Sequence, residues 1–250
     1  MNDTESKLMD NSYDRFFEKI MFGQSFLEAP IIASRICGSN SIANNIASMR
    51  AIEIACGIVS SAQTEKLRNL MLYAQIIQSH TVHLYSTILP IIISVSSLSE
   101  LQKDHRELFK NAVYLKNFGD KIAETIGGRS LHPIANIPGG FTVHPTTNNL
   151  KNIVEYRKEI IESAKNTLAT FGNLDYPVFE SKNIFATVCK QGDYSLSGHG
   201  IWTSEEKHFT VEKYQEHILE ELRPHSTIKY ATINGKETMV GPLARLTINK

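Results

Sequence analysis

The 250 residues hold only three cysteines, Cys37, Cys56 and Cys189, and no two of them form a paired C-x-x-C. That scarcity excludes a disulfide-stapled scaffold and a zinc site of the paired-cysteine kind. A chain of this length needs neither, because it can bury a sizeable core of its own. Charge of one sign is not in excess either. The 26 basic and 26 acidic side chains cancel, which argues against a basic nucleic-acid surface and against an acidic tail. Long apolar runs are also lacking. The longest, around residues 88–95, is interrupted by Pro90 and is far too short to span a bilayer. The opening Met1-Asn2-Asp3-Thr4-Glu5-Ser6-Lys7 is polar and acidic, unlike a signal peptide. With the unpaired thiols, this predicts a soluble protein of the cytoplasm.

Several common catalytic patterns are missing. There is no G-x-x-x-x-G-K-[ST] phosphate loop, no G-x-G-x-x-G between strand and helix, no G-x-S-x-G elbow and no H-E-x-x-H.

What is present reads first as helices. From Ser60 to Leu89 the positions Leu67, Leu70, Met71, Ala74, Ile77, Thr81 and Leu84 recur at helical spacing, and Pro90 predicts a stop. A capping box, Ser97-Leu98-Ser99-Glu100, opens a second helix that carries Leu101, Leu108, Leu115, Phe118, Ile122 and Ile126 towards Gly127-Gly128. A third runs from about Thr147 to Phe171, with Leu150, Ile153, Val154, Ile161, Ala164 and Leu168 on one side, and ends at Gly172. Later residues are mixed. Residues 184–189 are strand-like and end at a Gln191-Gly192-Asp193 turn, and 211–222 reads as a short amphipathic helix. Residues 227–233 and 236–240 flank Asn234-Gly235, a strong hairpin signal. The expected fold class is mainly α with a smaller mixed α/β C-terminal portion. No linker or repeat interrupts it, so we expect one unit: about 1–172 as a helical bundle, about 173–250 as strands, a short helix and a hairpin.

Cys37 is expected at the start of a helix, between Arg35 and Gly38. A helix N-terminus and a guanidinium both favour a thiolate, as for a ligand or reactive thiol. The alternative is a small buried residue in a tight turn, the commoner fate of an isolated cysteine. Cys56 and Cys189 lie on other segments, and spacing alone does not bring them to Cys37. His80 and His83 share a helix face and His105 falls on the next helix. They suit a metal or, more commonly, hydrogen-bonded core positions. Residues 127–141 are rich in glycine and proline and join two helices. A loop of this length inside a compact domain reads as a binding loop.

Five stretches together carry a resemblance: 15–19 (RFFEK), 34–38 (SRICG), 67–80 (LRNLMLYAQIIQSH), 128–142 (GRSLHP through PGGFT) and 240–246 (VGPLARL). In this order, over nearly the whole chain, they resemble the large subunit of [NiFe]-hydrogenases, particularly the soluble cytoplasmic class. The resemblance implies a nickel–iron centre held by four thiolates. Two come from an R-x-C-G-x-C-x-x-x-H motif, and two from a D-P-C-x-x-C-x-x-H segment nearer the C-terminus. It also implies a structural magnesium and, as partner, an iron–sulfur small subunit. Carried over by position, Cys37 is a nickel-ligand position and Glu18 a magnesium-site position. Asn40 stands where the bridging cysteine is expected, and Asn44 where the histidine is expected. Arg129 and His132 fall in the loop that lies by the cluster-bearing small subunit.

An amide is a neutral, hard donor and cannot bridge two transition metals as a thiolate does. The sequence ends at Lys250, just past the GPLARL stretch, and the second cysteine pair does not appear in it. The strands expected before Arg15 are largely missing as well. The expectation is therefore a truncated, degenerate homologue that acts as a scaffold or subunit of a redox complex, inactive on its own. The family precedent is the complex I quinone-module subunit, which shares this fold without the metal. The alternatives are a split hydrogenase completed by a second chain with the C-terminal C-x-x-C ligands, or a fragment without function.

Overall fold

The computed structural model describes residues 14–249 except 96, 179, 181–182, 190–195, 199 and 225; the side chains of Asp14, Arg15 and Cys189 are likewise outside the description. The expected turn at 191–193 and the opening seven residues therefore lie outside the described residues. The chain divides into two compact units, one of residues 23–177 and one of residues 1–22 with 178–250.

The larger unit is helical. In order it contains α2 (Ala29–Ala33), α3 (Ser41–Cys56), α4 (Ala62–His83), α5 (Leu89–Ile92), α6 (Leu98–Asp104) and α7 (Arg106–Gly127). A short ribbon of β1 (Asn136–Ile137) and β2 (Gly140–Phe141) follows, then α8 (Thr147–Glu155) and α9 (Arg157–Gly172). The helix α1 (Asp14–Met21) belongs to the smaller unit.

Two of the sequence signals for helix ends act where expected. The Ser97 hydroxyl accepts the Glu100 N–H at 3.2 Å, and Gly128 closes α7 in the left-handed region at φ 78°. Three expectations are corrected. The helix does not stop before Pro90: a π-turn, Leu84–Ile88, joins α4 to α5. There the Leu89 N–H bonds back to the Leu84 carbonyl, and this wider turn admits a proline that has no N–H to give. The second helix breaks at His105, whose φ and ψ of −128° and 50° are not helical. The third breaks between Glu155 and Arg157.

The main packing is α4 against α7. It is close because Gly119 has no side chain: a Cβ there would lie 2.8 Å from both the Ala74 carbonyl oxygen and Gln78 Cγ. At the far end of this pair, Tyr85, Leu89, Leu101, Leu115 and Phe171 form a buried cluster. Tyr85 and Phe171 meet edge to face, 5.4 Å between centroids. Asn111 donates to the Tyr85 hydroxyl at 2.7 Å and to Thr167 Oγ1 at 3.0 Å, tying α9 to α7 through its polar side.

The smaller unit holds a six-stranded mixed sheet. Its strands are β3 (Ile184–Cys189), β4 (Gly200–Thr203), β5 (His208–Thr210), β6 (Ile218–Leu222), β7 (Lys229–Ile233) and β8 (Lys236–Met239), in the order β5-β4-β3-β8-β7-β6. Among the described strands only β3 and β8 pair in parallel. Ala186, Ile201, Phe209 and Ile233 are its buried cluster. The Asn234-Gly235 turn joins β7 to β8 with φ of 52° and 72°, both positive as a two-residue hairpin turn demands. The helix expected over 211–222 is a correction. Only Val211–Lys213, a 3-10 turn, and α10 (Tyr214–His217) are helical, and the rest is β6, an edge strand paired along its length with β7. The helix α11 (Pro242–Ile248) follows. Helix α1 joins this unit rather than the helices next to it in sequence, and the Lys229 ammonium on β7 sits 3.0 Å from the Glu18 carboxylate.

Candidate functional site

The turn that carries Cys37 spans α2 and α3. Ser34 ends α2, fully buried, and its hydroxyl donates to the Ile31 carbonyl at 2.8 Å. Arg35 turns its guanidinium onto the same carbonyl at 2.9 Å. The backbone then folds back, with the Asn40 N–H on the Cys37 carbonyl at 3.3 Å. Cys37 is half-buried and lies before the helix rather than in its first turn, because α3 begins at Ser41.

Asn40 is the N-cap residue of α3, yet its side chain makes no capping bond. The amide instead donates to Cys37 Sγ at 3.2 Å. Capping is supplied from α4, where Gln75 Oε1 accepts the Ala43 N–H at 2.8 Å. Asn44 follows on the first turn of α3, half-buried, its N–H on the Asn40 carbonyl at 3.0 Å.

The 128–142 loop is clamped against this turn. His132 adopts φ 54°, unusual for a residue with a side chain. It does so while reaching both ends of the turn: its N–H donates to Ser41 Oγ at 3.1 Å and its Nδ1 lies 2.8 Å from the Ser34 carbonyl. A carbonyl can only accept, so Nδ1 carries the proton. Arg129, three residues earlier, is exposed.

Beneath the loop lies a buried ion pair that sequence reasoning missed. Arg68 of α4, 0% exposed, pairs with Glu53 of α3 through two bonds of 2.7 and 2.8 Å. Its Nε donates to Asn136 Oδ1 at 3.0 Å, and Asn136 in turn donates to Asn45 at 2.9 Å. Glu53 also accepts the Gly139 N–H at 2.7 Å. One bidentate pair thus joins two helices and the ribbon's turn. The available signal was a charge set among apolar neighbours, Ile52-Glu53-Ile54 and Leu67-Arg68. At the rim, Glu65 is affected by burial, which raises its pKa. Hydrogen bonds from Ser60 and Arg50, with the charges of Arg50 and Arg68, outweigh that and hold it below the usual carboxylate value.

The other candidates do not converge. Cys56 is the exposed last residue of α3, His80 and His83 are in the last turn of α4, and His105 is at the α6–α7 break. The Cys189 side chain lies outside the described residues. Among the described residues no three His, Cys, Asp or Glu side chains are grouped as a metal would require. In the smaller unit, Glu18 and Glu220 both meet Lys229 at 3.0 Å. The hydrogen bonds that its ammonium donates to Glu220 and Glu18 raise the Lys229 pKa above its ordinary value. No helix among the described residues is long and apolar enough to cross a membrane.

A family model for the nickel-dependent hydrogenase matches residues 15–110. The alpha chain of sulfhydrogenase 2 from Pyrococcus furiosus is 34% identical over 235 residues, which is 94% of this chain and 54% of the relative. The beta chain of the NAD-reducing hydrogenase HoxS from Cupriavidus necator is 25% identical over 295 residues, 99% of this chain and 59% of that one. In fold, a solved NAD+-reducing [NiFe]-hydrogenase in the H2-reduced state superposes with a TM-score of 0.79 at 21% identity, covering 96% of this chain and 58% of the other. The chain spans little more than half the length of the curated relatives it matches. By sequence it is a homologue of the large subunit of the nickel-dependent hydrogenases, and it shares their fold.

Proposed function

We propose that this chain serves as a scaffold or subunit of a redox complex without a complete nickel–iron centre of its own. The observation that carries the reading is the Asn40 amide on Cys37 Sγ at 3.2 Å. A bridging position needs a thiolate that donates electron density to two metals. Here an N–H donor occupies it and uses the sulfur as its acceptor. With three cysteines among these 250 residues and an amide at the bridging position, the residues present do not fit a four-thiolate centre.

The magnesium position, Glu18, keeps its carboxylate. Glu18 offers a hard carboxylate oxygen of the kind that ion prefers, but Glu18 and Glu220 both hold the Lys229 ammonium at 3.0 Å, so these residues as they stand do not fit a magnesium ion. The partner we infer is an iron–sulfur small subunit placed against Arg129 and His132. The support is a loop held rigidly by His132 and the Glu53–Arg68 pair, with Ile134 and Val143 exposed on it. We place the complex in the cytoplasm, on the unpaired thiols.

Hydrogen-dependent dye reduction by the protein purified from its native host tests this reading. No activity above the background of a Cys37→Ser variant is expected, and turnover abolished by that substitution would overturn it. A second reading, a split hydrogenase completed by another chain, rests on the half-length match to the relatives. It requires that chain to bring D-P-C-x-x-C, and a neighbouring reading frame with that motif would favour it.

A further inference from the structure

Asn234-Gly235 is the one Asn-Gly pair in the sequence. It fills the two central positions of the β7–β8 hairpin, where both residues are exposed and both have positive φ. Neither of its reactive groups is engaged. Among the described residues the Asn234 side-chain amide makes no hydrogen bond, and neither does the Gly235 N–H. A Cβ on Gly235 would meet nothing within 4 Å, so no other part of the described chain crowds the turn. The ladder behind it is short: β7 and β8 pair at Thr232↔Glu237 and Ile233↔Lys236, and a hairpin held by so little opens locally at small cost.

Asn40-Ser41 also places a small residue after an asparagine, in the opposite surroundings. The Asn40 amide donates to Cys37 Sγ at 3.2 Å, the Ser41 N–H donates to the Gly38 carbonyl at 3.3 Å, and Ser41 is fully buried. There both groups are held. At the hairpin both are free to meet, and glycine brings no side chain to hinder ring closure.

We propose that Asn234 is a site of spontaneous deamidation, which converts it to aspartate and isoaspartate and loosens β8 from β7. The Gly235 nitrogen gives its proton to solvent and bonds to Asn234 Cγ. The Cγ–Nδ2 bond breaks, and the leaving nitrogen takes a proton from solvent and departs as ammonia. Water then opens the five-membered imide. Opening at Cγ yields aspartate, and opening at the Asn234 backbone carbonyl yields isoaspartate. Nothing is oxidised or reduced, and water is the only co-reactant. The new carboxylate borders a cavity of about 320 Å³ lined by Lys207, His208 and His217 with a single acid, Glu206. Isoaspartate carries the main chain through its side-chain carbon and lengthens it by one atom, which a two-residue turn of this geometry does not accommodate. Ile233, the residue before, is 2% exposed in the buried cluster of the sheet, and β8 lies between β3 and β7. Loss of the β7–β8 ladder therefore weakens the join between β5-β4-β3 and β7-β6.

The full 250-residue protein is incubated near neutral pH and followed by peptide mapping with mass spectrometry. Conversion at Asn234 is expected to run at least tenfold faster than at Asn40, with isoaspartate as well as aspartate among the products. Hydrogen exchange then compares the isoaspartate form with fresh protein, and amides of residues 229–233 and 236–239 are expected to exchange at least tenfold faster. Asn234→Asp carries the new charge without the extra backbone atom and is expected to exchange like fresh protein. Conversion at Asn234 no faster than at Asn40, aspartate without isoaspartate, or exchange no faster in the isoaspartate form than in fresh protein or in Asn234→Asp would each overturn the proposal. None of these readouts involves a metal or hydrogen turnover.

Discussion

Gln75 caps α3 in place of Asn40. Its Oε1 accepts the Ala43 N–H at 2.8 Å, while the Asn40 amide is turned onto the Cys37 sulfur. The residue at the cap position and the residue doing the capping are on different helices. Gln75→Ala is therefore expected to cost about 1 kcal/mol of stability, and Asn40→Ala no more than about 0.5 kcal/mol, as at an exposed surface position. Urea unfolding of both variants checks the order. A larger loss in Asn40→Ala than in Gln75→Ala would place the cap on Asn40.

Arg68→Met leaves the Glu53 carboxylate buried without its guanidinium. A broken buried pair costs about 3–5 kcal/mol. Adding Glu53→Leu removes the stranded charge, and the double variant is expected to recover part of the loss. Full recovery is not expected, because Gly139 and Asn136 also lose partners. Urea midpoints of the two variants make the comparison.

Gly119→Ala introduces a Cβ 2.8 Å from the backbone oxygen of Ala74. A helix pair this close cannot yield by a rotamer change, so the expected destabilisation is about 1–3 kcal/mol. Thermal unfolding tests it, and a neutral result would show that α4 and α7 can separate at no cost.

Glu65 ionises more readily in the fold than its ordinary value of 4.5. The unfolded chain therefore takes up the proton first as pH falls. The contribution of Glu65 is complete above about pH 4.5 and is lost as pH drops through the lower folded value. Glu65→Gln is expected to flatten the acid limb of the stability profile below the ordinary carboxylate value and to leave its shape near neutrality unchanged. An unaltered acid limb would contradict this.

Local signals were legible where local chemistry decides. Ser97, Gly128 and Asn234-Gly235 each satisfy a backbone need within a few residues, and each acts where expected. Signals that depend on distant partners were not. Residues 218–222 contain good helix formers, but β7 offers them a full antiparallel ladder and they become an edge strand. Pro90 reads as a stop unless the π-turn before it is known. Val154, Ile161 and Leu168 have the spacing of a core face, yet the chain breaks between α8 and α9, α9 meets α7 through Asn111 and Thr167, and all three are exposed. At the site, the motif pointed to Cys37 and Asn40, whereas Glu53 and Arg68, fifteen residues apart, needed the fold to bring them together.

We propose that Asn40, hydrogen-bonded to Cys37 Sγ, stands where a metal-bridging thiolate would be needed. Nickel stoichiometry, measured by mass spectrometry on protein purified from its native host, tests it most directly. Nickel far below one atom per chain, unchanged in Cys37→Ser, is the expected result. Nickel approaching one atom per chain and lost in Cys37→Ser would contradict it.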